Sequence, residues 1–257
     1  MQSSNASKLS EETCQSLLET LEDGMTLAVG GFGTCGVPQD LLAVVRESGV
    51  KDLCIVSNNL AVDGVGQGLL LENDQISRVK ASYIGENQLF MSKYLAGEIE
   101  LEFVPQGSLA ERMRAGGAGI AAFYTRTGVG TELAKGKPTE KFDGQTFVLE
   151  RAIKADIGLV RAHIGDELGN LRYRLTARNF NHVAAMCGNV TFAEVEKLVP
   201  VGELDPDDVH TPGVYVDHIM ETQTPTVIEK IVNRKAEEGA NAVSYTHLTL
   251  PTTPYVS

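Results

Sequence analysis

From Asp23 to Pro38 the chain reads D-G-M-T-L-A-V-G-G-F-G-T-C-G-V-P, an order that few folds accommodate. An Asp-Gly turn feeds the apolar run Met25 to Val29, which is of strand length. Gly30, Gly31, Gly33 and Gly36 follow at once. Pro38 then stands where a helix opens, because its missing N–H is one that a first helical turn leaves unpaired anyway. The predicted elements are strand, glycine loop, helix. Glycines let backbone N–H groups approach a ligand closely, and a helix N-terminus behind them adds partial positive charge. A pyrophosphate held by Gly30, Gly31, Phe32, Gly33, Thr34, Cys35 and Gly36 is therefore one expectation.

Gly31, Gly33 and Gly36 also satisfy G-x-G-x-x-G, the spacing of a dinucleotide loop. That reading needs an acid about 20 residues on, at the end of the second strand, to hold a ribose hydroxyl. The second strand is Leu53-Cys54-Ile55-Val56, and Ser57-Asn58-Asn59 follows it. Asp52 lies before it, at the wrong edge of a parallel sheet. Two carboxamides occupy the place where a nicotinamide enzyme would carry a carboxylate.

Around this stretch the pattern alternates. A helix is expected from Ser10, with Glu11 and Glu12 in its first turn and Cys14, Leu17, Leu18 and Leu21 inward; residues 1–8 are expected to be loose. Pro38 opens a second helix with Leu41, Leu42 and Val45 inward and Gly49 ending it. Strand, helix, strand in so few residues implies a right-handed parallel crossover. Further strands are expected over 76–84, 99–104, 157–162 and 190–195, the second near a sheet edge, with β structure flanking Gly169-Asn170. Helices are expected over 88–96 and 108–114, and loops over 116–119 and 127–131. A β-hairpin excursion over 135–150 turns at Asp143-Gly144. The fold class is α/β, with an open, mostly parallel sheet flanked by helices.

The formal charge of −12 over 257 residues disfavours nucleic acid and anionic membrane as partners. No apolar run approaches the roughly 20 residues of a membrane helix, and the polar, acidic N-terminus is unlike a targeting peptide, so a cytoplasmic protein is expected. Cys14, Cys35, Cys54 and Cys187 are too scattered for a disulfide framework or a zinc site. His163, His182, His210, His218 and His247 show no metal spacing. Residues 243–257 carry no charge, are rich in threonine and resemble translated adapter sequence. The main domain is accordingly set at 9–235, with 236–257 a disordered or non-native tail.

Read as D-G-x-x-(three apolar)-G-G-F-x-x-x-G-x-P, residues 23–38 resemble without departure the signature of the α subunit of family I coenzyme A transferases. Ser57-Asn58-Asn59, Ser82-Tyr83-Ile84-Gly85-Glu86-Asn87, Pro105-Gln106-Gly107-Ser108-Leu109-Ala110-Glu111-Arg112, Gly116-Gly117-Ala118-Gly119 and Ala177-Arg178-Asn179-Phe180-Asn181 agree in the same order. The resemblance covers about residues 8–220 and is nearest to the branch that uses succinyl-CoA and a 3-oxoacid such as acetoacetate. It implies a three-layer fold, coenzyme A as a substrate, no tightly bound cofactor, and a partner β subunit in a heterodimer or heterotetramer. It also implies a glutamyl-CoA intermediate whose glutamate belongs to that β subunit.

On transfer by position, Asn58 and Gln106 face the reacting acyl group. Their amides suit a carbonyl oxygen that becomes an oxyanion, since their charge does not change with pH. Capping of turns is the plainer role for the same residues. Glu86 sits in a setting that only superficially matches that of the nucleophile, because Gln88 replaces a glycine. Arg112, Arg114, Arg161, Arg172, Arg174 and Arg178 are candidates for a coenzyme A phosphate or a dicarboxylate, or for ordinary ion pairs. The alternatives are a non-catalytic acyl-CoA sensor on the same scaffold and an acetate-type transferase subunit. A sugar-phosphate isomerase, which would need an acid–base pair within the chain, and a dehydrogenase rank below these.

Overall fold

The computed structural model describes residues 2–227, with side chains from Ser10 onward; the expected tail at 236–257 lies outside the described residues. Helix α1 (Gln2–Thr20) leads to β1 (Thr26–Val29), α2 (Gln39–Ser48) and β2 (Leu53–Val56). The alternation continues through α3 (Gln67–Glu72), β3 (Ile76–Ala81), α4 (Gln88–Leu95), β4 (Glu100–Phe103) and α5 (Gln106–Gly117). Then β5 (Ala122–Thr125), β6 (Thr139–Phe142) and β7 (Gln145–Arg151) form a separate antiparallel sheet in the order β5-β7-β6. The chain returns through β8 (Ala155–Asp166), β9 (Leu171–Arg172), α6 (Asn181–Cys187), β10 (Gly188–Val199) and β11 (His218–Glu221).

The main sheet runs β11-β10-β8-β1-β2-β3-β4 with every neighbouring pair parallel, and β9 pairs antiparallel with β8. β1 lies in the middle. The chain winds outward through β2, β3 and β4 on one side and through β8, β10 and β11 on the other, so the winding reverses between β1 and β8. Helices cover both faces. Leu27 and Val29 of β1 point to the layer with Leu17, Leu41, Leu42, Leu71 and Phe90, whereas Ala28 points to the layer with Leu109, Met113, Val183 and Ala184. A strand covered on both sides has no polar face, which is why Leu27-Ala28-Val29 is continuously apolar.

Several expectations hold in detail. Gly49 ends α2 in the left-handed conformation with φ 69°. β4 is the edge strand, and Asp143-Gly144 turns the hairpin with both residues at positive φ, as a two-residue turn matched to strand twist requires.

Others are corrected. α1 begins at Gln2, so the stretch expected to be loose is largely helical and Ser10 lies inside the helix; extending a helix already anchored by Leu17 and Leu21 costs little compared with nucleating one. Leu18 is 42% exposed and faces outward, its expected place taken by Thr13, whose hydroxyl reaches Ile219 O at 2.9 Å. Gly116-Gly117 is the last turn of α5 rather than a loop. A Cβ on Gly116 would stand 1.8 Å from Ile153 O, so the glycine serves a close approach between helix and chain. The sequence pattern missed α3, α6 and β11, which are only four to seven residues long.

Candidate active site

Parallel strands deliver their carboxyl ends to one rim, and four of those ends meet at a single cavity of about 460 Å³. Phe32 and Gly33 come from the loop after β1, Asn58 and Asn59 from the end of β2, Ser82, Tyr83 and Glu86 from beyond β3, and Gln106 from the turn after β4. The expected juxtaposition of Gly33, Asn58 and Gln106 is present.

Asn58 is buried, and its amide orientation is set by its neighbour. Ser82 Oγ donates to Asn58 Oδ1 at 2.8 Å, and Asn58 O accepts the N–H groups of Ser82 and Tyr83 at 3.1 Å each. Its oxygen is thus occupied, and its NH₂ makes one hydrogen bond among the described residues, to Asn59 Oδ1 at a long 3.5 Å. Asn59 does something different: its Oδ1 accepts the Gly33 N–H at 3.1 Å and so fastens the loop. Gln106 is exposed at the first turn of α5, and its amide has no partner among the described residues. Phe32 and Tyr83, each 47% exposed, flank the opening. Glu86 is the one carboxylate among the lining residues.

The glycine loop is a tight hairpin, and most of its N–H groups already have acceptors within the protein. Phe32 and Cys35 exchange N–H···O bonds at 3.0 and 3.1 Å, Gly30 N–H goes to Leu159 O at 2.9 Å, and Gly31 N–H to Asn179 Oδ1 at 3.2 Å. With Gly33 tied to Asn59, these donors are all spent within the protein. Asn179 also donates to Cys35 O at 2.9 Å, closing the turn from outside. Asn181 donates to Gly36 O and Ala177 O at 2.9 and 2.8 Å and accepts Arg161 N–H at 2.8 Å. A Cβ on Gly30 would lie 1.9 Å from Asn181 Oδ1, so glycine is required there by packing.

The N-terminus of α2 is likewise already occupied. Glu194 Oε2 accepts from Asp40 and Leu41 N–H at 2.8 and 3.1 Å, its Oε1 accepts Gln39 N–H at 3.0 Å, and Arg161 Nη1 adds a bond at 2.7 Å. The protein's own carboxylate thus fills the anion position expected for a pyrophosphate. Burial pushes the Glu194 carboxyl up to about 7, against Arg161 and the helix amides, which favour the anion. Four aimed donors mark the site as built for the charged form. Sequence reasoning missed this pair. The available signal was one acid and one base, each interrupting an apolar strand run, and the two stand opposite each other in the β8–β10 register.

Asp40 closes the same corner. Burial raises its carboxyl, but the hydroxyls of Thr222 and Thr224 and the N–H groups of Gln223 and Thr224 outweigh that and hold it below the usual range. A depressed carboxyl contributes stability that is present above its unfolded value near about 3.9 and lost as pH falls through the folded value. Urea midpoints should therefore drop on acidification below about pH 4, and Asp40→Asn should flatten that limb. An unchanged slope would count against the clasp.

A second cavity, of about 260 Å³, lies on the other flank of the loop, lined by Cys35, Gly36, Arg161, His163, Arg174 and Leu175 among others. Cys35 Sγ is 3.6 Å from Thr176 Oγ1. Gly30, Gly31 and Thr34 line neither cavity. Of the candidate arginines, Arg112, Arg114, Arg161 and Arg172 are held by Glu102, Glu111, Glu194 and Asp208; Arg174 and Arg178 have no ion pair among the described residues.

Comparison with known proteins gives a consistent picture. The family model described as Coenzyme A transferase matches residues 11–222. One subunit of a probable succinyl-CoA:3-ketoacid coenzyme A transferase of Bacillus subtilis is 53% identical over 221 residues, covering 85% of this chain and 93% of the relative. The corresponding subunit of the succinyl-CoA:3-ketoacid coenzyme A transferase of Helicobacter pylori strain J99 is 52% identical, covering 86% and 95%. Among solved structures, an acyl-CoA transferase of Escherichia coli O157:H7 superposes with TM-score 0.72 at 22% identity, over 86% of this chain; the chain spans about half, 49%, of that protein. Glutaconate coenzyme A-transferase of Acidaminococcus fermentans gives TM-score 0.69 at 17% identity, over 81% and 74%. Among the described residues no helix is long and apolar enough to cross a membrane.

Proposed function

This chain belongs to the coenzyme A transferase family, and we propose that it is the α subunit of a 3-oxoacid CoA-transferase whose β subunit supplies the attacking glutamate. The reaction moves coenzyme A from an acyl-CoA, succinyl-CoA, to a 3-oxoacid, acetoacetate. The observation that carries the site assignment is the shared cavity of Gly33, Asn58 and Gln106. Coenzyme A enters as a substrate, with no tightly bound cofactor, and the working assembly is a heterodimer or heterotetramer in the cytoplasm.

In this reading the partner's glutamate attacks the thioester carbon, the C–S bond breaks, and an acyl-glutamyl anhydride forms. The released thiolate attacks the glutamyl carbonyl of the anhydride, its C–O bond breaks, and the acyl group leaves as a carboxylate while a glutamyl-CoA thioester remains; the carboxylate of the 3-oxoacid reverses these steps. A carboxylate nucleophile divides one difficult transfer into easier exchanges. Each step passes through an oxyanion, and in this reading the NH₂ groups of Asn58 and Gln106, both of which line the cavity, donate to it. Phe32 and Gly33 form the facing wall of this cavity, while Cys35 and Gly36, on the other flank of the loop, line the second cavity.

Purified with its β subunit, then treated with acyl-CoA, the complex should show by mass spectrometry a coenzyme A adduct on a glutamate of the partner. The chain alone should be inactive. Robust activity without the partner would overturn the assignment. Glu86 favours a second reading, in which this chain carries its own nucleophile, because it lines the same cavity. An adduct on Glu86, lost in Glu86→Gln, would select that one.

A further inference from the structure

The three residues that follow β2 make their side-chain bonds in two directions. Asn58, in the middle, bonds toward β3, where its Oδ1 accepts from Ser82 Oγ. Its two neighbours bond back to the β1 segment. Ser57 Oγ donates to Val29 O at 2.9 Å, one residue past the last β1–β2 pair, Ala28 opposite Val56. Asn59 Oδ1 accepts the Gly33 N–H at 3.1 Å and the long bond from Asn58 Nδ2. The glycine loop is therefore held at its root, Val29, and near its tip, Gly33, by the residues on either side of Asn58.

Gln67, the first residue of α3, completes the arrangement, with its Nε2 3.2 Å from Ser57 Oγ. Val29 O can only accept, so the single hydroxyl proton of Ser57 goes there and Gln67 must present its NH₂ to the hydroxyl oxygen. The hydroxyl is thereby fixed in one orientation. Ser57, Asn58, Asn59 and Gln67 are all buried. Gln67 makes this bond while its own Oε1 has no partner among the described residues. A leucine of similar size would carry no such penalty, so the amide is explained by the hydroxyl it holds and not by packing.

We infer that Ser57 and Asn59 are positioning residues that set Phe32 and Gly33, the loop wall of the 460 Å³ cavity, against Asn58, with Gln67 acting through Ser57. This rests on the proposed function, in which Asn58 meets the reacting acyl group. Placement matters there because a displacement of about 1 Å can cost about 100-fold in rate.

The chain contains no tryptophan, so Phe32→Trp puts a single fluorophore on the loop, at a position 47% exposed. In that background, on the full chain, Ser57→Ala and Asn59→Leu should raise acrylamide quenching and lower anisotropy. Asn59→Asp keeps the acceptor for Gly33 and should return both to their starting values. With Phe32 retained and the β subunit bound, Ser57→Ala, Asn59→Leu and Gln67→Leu should lower kcat by about 10- to 100-fold while KM for acyl-CoA stays within a few-fold. Gln75 supplies the structural control: it is a buried amide just before β3, at the opposite rim of the sheet, and donates to Val45 O and Val50 O at 2.9 and 3.0 Å. Gln75→Leu should lower the thermal midpoint and leave quenching and kcat unchanged. Unchanged quenching in Ser57→Ala and Asn59→Leu, raised quenching with a wild-type kcat, or equal effects in Gln75→Leu overturns the positioning role and leaves the proposed function standing. A wild-type complex without transferase activity overturns both.

Discussion

Glu194→Ala is expected to lose about 3–5 kcal/mol of unfolding free energy, the range for breaking a buried ion pair by removing one partner. Arg161 and Glu194 are 3% and 0% exposed, so truncation strands a guanidinium away from water and leaves the N–H groups of Gln39, Asp40 and Leu41 without their acceptor. Against a total of about 5–15 kcal/mol for a typical domain, such a loss is close to unfolding. Glu194→Gln keeps the volume and one good acceptor, and should cost distinctly less. Urea titration of the isolated chain measures both. A loss below about 1 kcal/mol for Glu194→Ala would show that the pair behaves as a solvated surface bridge. Because α2 follows the glycine loop directly, the variant should also loosen Gly30 to Gly36.

Asn58→Ala should lower kcat of the complex by about 100- to 1,000-fold while KM for acyl-CoA stays within a few-fold, the pattern for loss of a donor used only in the transition state. Asn58→Asp should be worse than alanine, since it sets a fixed negative charge against the developing oxyanion in a buried position. Ser82→Ala tests the orientation of the amide: without the Oγ donor, Asn58 can turn its oxygen into the cavity, and kcat should fall by a smaller factor. Gln106 is exposed, so Gln106→Ala should reduce kcat with no change in thermal midpoint. A wild-type kcat for Asn58→Ala would remove this residue from the chemistry and leave it the turn-capping role that its backbone bonds already give it.

Much of the outline was legible in the chain because it rests on local rules. Continuous apolar runs at Leu27 to Val29 and Leu53 to Val56 mark strands covered on both faces, Gly49 marks a left-handed helix end, and Asp143-Gly144 marks a hairpin of defined twist. The placing of Gly33, Asn58 and Gln106 on one rim also followed, once the strands were taken as parallel neighbours. The short elements escaped because a six-residue helix such as α3 shows less than two turns of periodicity.

The role of the glycine loop could not be read the same way. Locally, Gly30 to Gly36 and Pro38 present an anion site, and the sequence determines the strand, the turn and the helix that follows. What fills the site comes from residues far along the chain: Glu194 on the helix amides, and Asn59, Asn179 and Asn181 on the loop. Hydrogen-bond donors are legible in a sequence, but whether they are free is decided by which distant acceptors the sheet brings alongside. Only the tertiary structure settles that, because β8 and β10 must pair before Arg161 and Glu194 can meet beside α2.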